Sequence, residues 1–365
     1  MRGTSRSKNG AGSDAPSATL AVPEITSGTE SLPIERCLEL HRTIVRARVM
    51  EERCIKMSKS GEAYFWVGGP GEEVINACIG MQVRKGCGPA YDFLHLHYRN
   101  AALLLAMGMP VLDHVRQQAM SRTDPHSMGR NFVCHYAIRE WNVIPVTSVI
   151  EVQYSMAPGT AIMQKRNGGE GVSIAIGGDA GTAEGDFATC MIWSTRPGKE
   201  LPVLMVITNN GWGISTAAES QHGEENIIDR GKPFGIPGEV CDGNDPIASW
   251  HAVRRALAWC RRERRPYMLE AKVGRLHGHS SSSGAARDKS EEDCIEMFEQ
   301  KLLKSGALEP HDIARVHEEA KAEVEAAVQQ AVKEPKPTVE DIYTHTYAPS
   351  PVDAVYPDDY TGLPS

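Results

Sequence analysis

The chain has 365 residues, 41% of them hydrophobic, so it can bury a substantial core without disulfide or metal staples. A net charge of −8 gives no electrostatic ground for binding nucleic acid or an anionic membrane, and small molecules or protein partners are the expected ligands. Nine cysteines stand singly with no C-x-x-C pair, which excludes a disulfide framework and a zinc-finger pattern and fits a reducing compartment. The first residues, MRGTSRSKNGAGSDAPSATLAVPEITSGTE, are rich in Ser, Gly, Ala and Thr and predict a flexible tail over 1–34. Three early basic residues leave a mitochondrial leader open, but no amphipathic helix accompanies them, so a bacterial-type cytoplasm is the expected location.

Residues 35–60 carry apolar side chains at helical spacing and stop at Gly61, which predicts a helix. YFWVGGPGEE breaks into a glycine turn, a second helix follows through VINACIGMQV, and a third runs from His97-Tyr98-Arg99 through AALLLAM. That last run is cut by Gly108 and Pro110 and is too short to cross a bilayer. The middle then alternates. GVSIAIGG, LPVLMVITNN, GEVCDGND and PYMLEAKVG read as strands, with helices at DFATCMIWSTR and DPIASWHAVRRALAWCRRERR between them. Strands separated by helices of this length predict an α/β fold with a mostly parallel sheet flanked by helices. The basic run RRALAWCRRERR reads as a surface helix, because Ala256, Leu257 and Trp259 share one face. Beyond Gly284 two charged amphipathic helices predict a C-terminal wrap, closing one domain over 35–345 before an extended tail at 346–365.

The chemistry gathers at two strand ends. GGDAGTAEGD, residues 177–186, places Asp179 in a glycine-rich turn that opens a helix, where backbone amides suit phosphate and a carboxylate repels it. Asn209 and Asn210 end the next strand, and in a parallel sheet both ends meet at one edge. A carboxylate with an amide oxygen suits Mg²⁺ carrying a diphosphate, since magnesium takes one or two protein oxygens and fills its shell from phosphate and water. Asp and Asn are also ordinary turn residues at strand ends, and spacing alone leaves both readings open.

Gly178-Asp179-Ala180 followed about thirty residues later by Asn209-Asn210 resembles the thiamin-diphosphate signature. In detail the chain resembles the α subunit of the E1 component of 2-oxo acid dehydrogenase complexes. The supporting blocks are GEE at 71–73, HYR at 97–99, EGD at 184–186, NNGWGIST, CDGND at 241–245 and HGHSSSSG at 277–284, in family order. The resemblance implies a thiamin-diphosphate-binding fold. It implies that Asp179, Asn210 and the carbonyl of Trp212 hold Mg²⁺, and that the diphosphate is approached by Gly178, Ala180, Gly181, Tyr98 and Arg99. It further implies that His279 faces the diphosphate and the reacting centre, with His277 as the alternative. Phe65 and Trp66 correspond to aromatics of the family's substrate pocket, and the polar, glycine-terminated SSSSG predicts a mobile segment near the cofactor mouth.

Four departures accompany these matches. Ala180 replaces the third-position Gly of the motif, Thr208 stands where branched-chain members have Arg, Trp212 replaces Tyr, and Ser283 replaces Asp. The implied activity is decarboxylation of a 2-oxo acid and transfer of the acyl group to a lipoyl-bearing E2 acyltransferase. The resemblance further implies that the glutamate activating the cofactor belongs to a separate E1 β subunit, in an α2β2 heterotetramer. A branched-chain 2-oxo acid, making the enzyme of the 3-methyl-2-oxobutanoate dehydrogenase type, is the first expectation, with pyruvate and then acetoin behind it. A noncatalytic scaffold paralogue is the competing class. A dinucleotide oxidoreductase is disfavoured by the lack of a G-x-G-x-x-G turn.

Overall fold

The computed structural model describes residues 23–344. The chain starts with a hairpin, β1 (Glu24–Ser27) and β2 (Glu30–Pro33), followed by α1 (Ile34–Ser60), α2 (Glu73–Gly80), β3 (Phe93–His95), α3 (Ala101–Ala106) and α4 (Val111–Gln118). Next come β4 (Val143–Ile144), α5 (Val152–Arg166), β5 (Ser173–Gly178), α6 (Gly185–Ser194), β6 (Val203–Asn209) and a short ribbon of β7 (Trp212–Gly213) with β8 (Thr216–Ala217). The last elements are β9 (Gly238–Asp242), α7 (Pro246–Glu263), β10 (Tyr267–Lys272), α8 (Cys294–Lys304) and α9 (Pro310–Ala331).

Six strands form one sheet in the order β4-β3-β5-β6-β10-β9, and every neighbouring pair is parallel. This bears out the predicted α/β class. Alternate residues of the central strands serve two different cores, which is why those strands read as continuous apolar runs rather than alternating ones. Ile174 and Ile176 of β5 and Leu204 and Val206 of β6 join the core built with α1, α2, α3 and α7. Ala175, Val203, Met205 and Ile207 face a smaller core with Tyr154 and Ala157 of α5 and Phe187 and Cys190 of α6. α9 packs against α1 and α4 as the predicted wrap.

The first helix ends as expected, with Gly61 in the left-handed region at φ 83°. The start of the chain differs from the sequence expectation. Residues 24–33, read as part of a flexible tail, form the hairpin, because Ile25 and Leu32 stand opposite each other and are both buried. Ser27 Oγ also donates to Asp245 Oδ2 at 2.6 Å and fastens the hairpin to the α7 cap. The expectations for residues 1–22 and for the tail at 346–365 lie outside the described residues. Strands β3 and β4 and helices α4 and α5 were not read from the sequence. The two strands have three and two residues, too few to show a period, and α5 carries Pro158 inside it.

Candidate active site

Sheet order decides where a crevice opens. From β3 the chain goes on to β4 on one side, and from β5 to β6 on the other, so the carboxyl ends of β3 and β5 flank a topological switch point. A cavity of about 300 Å³ lies there, at the small end of the range for ligand pockets. Four strand ends and the start of α5 supply its walls, and the nine side chains and turn residues assigned to cofactor contact by the resemblance all line it.

On one wall β5 and β6 run in register, Gly178 beside Thr208, so Asp179 and Asn210 leave neighbouring strands together. Asp179 is 1% exposed and its Oδ2 makes no hydrogen bond. Burial raises its carboxyl above the usual range, with the backbone N–H of Ala180 opposing. Asn210 is oriented from both sides. Its Nδ2 donates to Glu72 Oε1 at 3.1 Å, while its Oδ1 accepts the backbone N–H of Trp212 at 3.1 Å and keeps a second lone pair. The two asparagines divide their work. Asn209 is spent on Glu270 and on the N–H of Gly211, so only Asn210 serves the cavity.

The facing wall is cationic. Arg99, 5% exposed, donates Nη1 to Gly68 O at 2.6 Å, lies 3.6 Å from Glu72 Oε1 and stacks over the Tyr98 ring at 5.1 Å. Its Nη2 is 3.2 Å from Nδ1 of His279. A guanidinium can only donate, so Nδ1 accepts and the His279 proton sits on Nε2. Burial, with the charges of Arg99 and Arg275, drives the His279 imidazole down to about 4. A neutral ring offering Nε2–H is therefore the resting state.

Glu72 and Glu151 were not singled out from the sequence. Glu72 joins the walls, touching both Arg99 and Asn210, and burial pushes its carboxyl up to about 6 although Arg99 opposes this. It was legible as the middle of GEE, where the turn residues around it drew the reading instead. Glu151, before α5, has φ 65° and is 1% exposed. It fills the space under the glycine turn: a Cβ at Gly177 or Gly181 would fall 2.1 or 1.9 Å from its carboxylate. Burial pushes it up to about 8, with the N–H of Gly178, donated at 3.3 Å, pulling the other way. No pattern in the sequence marked it.

The remaining candidates fall elsewhere. Trp66 is 1% exposed, donates Nε1 to Glu51 Oε2 at 2.7 Å, and does not line this cavity. Phe65 is also outside it, packed on Phe132 with ring centroids 5.5 Å apart. His277 sits behind Gly278 against Trp66, in a neighbouring cleft with Arg275 and Arg287. The serine loop, expected to be mobile, is fastened: Ser281 N donates to Trp66 O at 2.8 Å, and Ser281 Oγ accepts from Trp66 N at 3.0 Å. Ser283 closes a capping box on Ser280, so the departure from Asp supplies its own local order. The methyl of Ala180 is accommodated because residue 213 is Gly, where a Cβ would come within 2.5 Å of it.

A family model described as "Dehydrogenase E1 component" matches residues 41–340. The chain belongs to the dehydrogenase E1 component family. Among relatives, it is 26% identical over 322 residues to the 2-oxoisovalerate dehydrogenase subunit alpha of Bacillus subtilis, covering 86% of this chain and 96% of that one. Against the mitochondrial 2-oxoisovalerate dehydrogenase subunit alpha 2 of Arabidopsis thaliana the identity is also 26%, and the alignment spans 86% of this chain but only 66% of the plant protein. The pyruvate dehydrogenase E1 component subunit alpha of B. subtilis matches at 26% over 340 residues, 91% of this chain and 85% of the relative. This is therefore an E1 chain of the α-subunit type, and its identity to the 2-oxoisovalerate and pyruvate relatives is equal. No described helix of the E1 α-type chain is long and apolar enough to cross a membrane.

Proposed function

We propose that this E1 α-type chain binds Mg²⁺ and thiamin diphosphate and forms the diphosphate half of a 2-oxo acid dehydrogenase active site. The observation that carries the reading is Asp179: a buried carboxylate with an unpartnered oxygen, beside an oriented Asn210 amide and across one cavity from Arg99. Such a carboxylate is costly unless a cation joins it. Asp179, Asn210 Oδ1 and the Trp212 carbonyl would hold the magnesium, an all-oxygen set suited to that ion. The diphosphate would meet the backbone at Ala180 and Gly181, the N-terminus of α6 beyond, the Arg99 guanidinium and the Nε2–H of His279. Tyr98 keeps Arg99 from swinging by stacking on it, and Glu72 couples that clamp to Asn210.

When bound, thiamin diphosphate supplies the carbanion that attacks the ketone carbon of a 2-oxo acid and accepts electrons as carbon dioxide leaves. The chain's own part is to bind, orient and exclude water at the diphosphate end. The groups that line its cavity suit the diphosphate end, which supports a division of labour with an E1 β subunit in an α2β2 assembly that passes acyl groups to a lipoyl-bearing E2. The substrate assigned first is the branched-chain 3-methyl-2-oxobutanoate, supported by the names of several relatives, with pyruvate second and acetoin third. A reducing compartment is supported by nine free cysteines, of which only Cys87 is exposed. Cytoplasm of a bacterial cell is the assignment, and mitochondrial relatives make the matrix the alternative.

The test is reconstitution. The purified chain alone is expected to release no carbon dioxide from either 2-oxo acid, and addition of a β partner with Mg²⁺ and thiamin diphosphate is expected to restore release, faster from 3-methyl-2-oxobutanoate than from pyruvate. Turnover by the isolated chain would overturn the division of labour. Failure of the assembled enzyme to bind thiamin diphosphate in calorimetry would favour a scaffold, the reading to which the buried Thr208 gives its support by removing a cationic position.

A further inference from the structure

Behind the Trp66–Gly69 segment, one layer further from the cavity than Arg99, three chemistry-bearing side chains converge in the core. We propose that Glu51, His114 and Cys134 form a buried structural site for a divalent transition metal of the zinc class. Glu51 comes from α1, His114 from α4 and Cys134 from the segment that follows α4. A carboxylate oxygen, a ring nitrogen and Sγ lie within 4.8 Å of one another, and the three residues are 2%, 0% and 0% exposed.

The pattern of hydrogen bonds indicates a ligand rather than a packed polar core. Glu51 Oε2 is taken by Trp66 Nε1 at 2.7 Å, and Oε1 makes no hydrogen bond. His114 Nδ1 is 2.9 Å from Tyr136 Oη, and Nε2 makes none. The Cys134 thiol donates to Val67 O at 3.3 Å, and its sulfur is also a hydrogen-bond partner of Tyr136, which leaves a lone pair facing the cluster. Buried polar atoms without partners cost about 1–3 kcal/mol each, so two in one cluster call for an explanation. A single water has only two hydrogens to give, fewer than the three acceptor atoms that face the cluster. A cation accepts all three.

Donor chemistry narrows the ion. Magnesium and calcium take oxygen ligands, whereas a mixed oxygen, nitrogen and sulfur set suits zinc. The supporting contacts that metal ligands need are already made, by Trp66 to the carboxylate and by Tyr136 to the imidazole. On binding, the Cys134 proton leaves to solvent, and carboxylate and thiolate together balance the two positive charges. The ion would then brace the chain where Gly68 O receives Arg99, at a residue where a Cβ would fall 2.1 Å from Glu51 Oε2.

A second cluster, His41, Glu299 and His317, serves as the control. There both Nε2 atoms already reach Glu299 Oε1, at 2.9 and 2.7 Å, so hydrogen bonds account for the facing atoms. The full-length chain, produced with zinc supplementation and dialysed against a weak chelator, would be assayed by elemental mass spectrometry and zinc-edge X-ray absorption. About one zinc per chain is expected, with one sulfur at about 2.3 Å and the remaining ligands at about 2.0–2.1 Å. Cys134→Ser and His114→Gln are each expected to lower the zinc content about tenfold, and His317→Gln to leave it unchanged. Less than a tenth of a zinc per chain, a shell without sulfur, or loss of zinc with His317→Gln instead would overturn the site. Should the core variants fail to fold, the sulfur shell of the unaltered chain decides by itself. None of these readouts involves turnover or thiamin diphosphate, so this site and the proposed function fail independently.

Discussion

Glu73 and Asp179 are both acids buried to within 2% of full, in two regions of one molecule, and the chain treats them oppositely. Glu73 takes Arg48 Nε at 2.6 Å, Arg48 Nη2 at 3.0 Å and the N–H of Gly71 at 2.7 Å. Asp293 completes that clasp, accepting Arg48 Nη1 at 2.6 Å and Arg287 Nη2 at 2.8 Å while it caps α8. Burial works against the Asp293 charge, and the pairing with Arg48 outweighs it, so its carboxyl sits below the usual range. Asp179 has no cationic contact of that kind, and its carboxyl is raised. The same desolvation cost is thus offset inside the chain in the clasp and left for a ligand to offset in the cavity.

Breaking the clasp is expected to have the largest effect. Arg48→Met strands the buried Glu73 carboxylate and leaves Asp293 to Arg287 alone, and should cost about 3–5 kcal/mol in denaturant unfolding. A loss below about 1 kcal/mol would mean that the clasp does not offset the burial of its own acids. Next is Glu151→Gln in the cofactor-free chain. The folded state holds the Glu151 proton up to about pH 8, whereas an unfolded glutamate releases it near 4.5, so the native chain loses stability as pH rises through that window. The Gln variant lacks this loss, and by pH 8 it should exceed the parent by about 4 kcal/mol; parallel stability curves between pH 5 and 8 would contradict the assignment.

Asp179→Asn separates the two regions most directly. Without cofactor its stability should equal the parent's or rise by about 1 kcal/mol, because an unpaired buried charge has gone. Its Mg²⁺-dependent affinity for thiamin diphosphate in the assembled enzyme should fall at least about 100-fold, some 2.7 kcal/mol, by calorimetry. Destabilisation with unchanged affinity would make Asp179 a structural acid like Glu73. The smallest effect is expected at the surface, where Arg46→Ala removes the pair with Glu323, whose N–O distance is 2.7 Å, and should cost under about 1 kcal/mol in the same unfolding assay.

Legibility followed length and periodicity. The long amphipathic α1, α7 and α9 and the apolar runs of β5, β6 and β10 were readable, because each carries enough residues to reveal its period. The hairpin of residues 24–33 was not, since it has one buried apolar pair, Ile25 with Leu32, in a polar composition, and its other ties reach partners distant in the chain such as Asp245. Asp179 and Asn210 stood out because a sharp turn or strand end demands particular residue types, whereas Arg99 and His279 were marked by the family resemblance. The surroundings of Trp66 were not legible locally: the resemblance set it among pocket aromatics, and in the fold its indole N–H is committed to Glu51 inside the core.

Sequence alone determined the α/β class, the family and the residues placed at the two strand ends, because each rests on local backbone preference or on spacing along the chain. Only the tertiary structure decided that Glu72 joins Arg99 to Asn210, that Glu151 fills the floor under the glycine turn, and that Glu51, His114 and Cys134 meet. Those groups lie far apart in the chain, and their energies come from burial and from partners brought by sheet order, neither of which leaves a period or a motif to read.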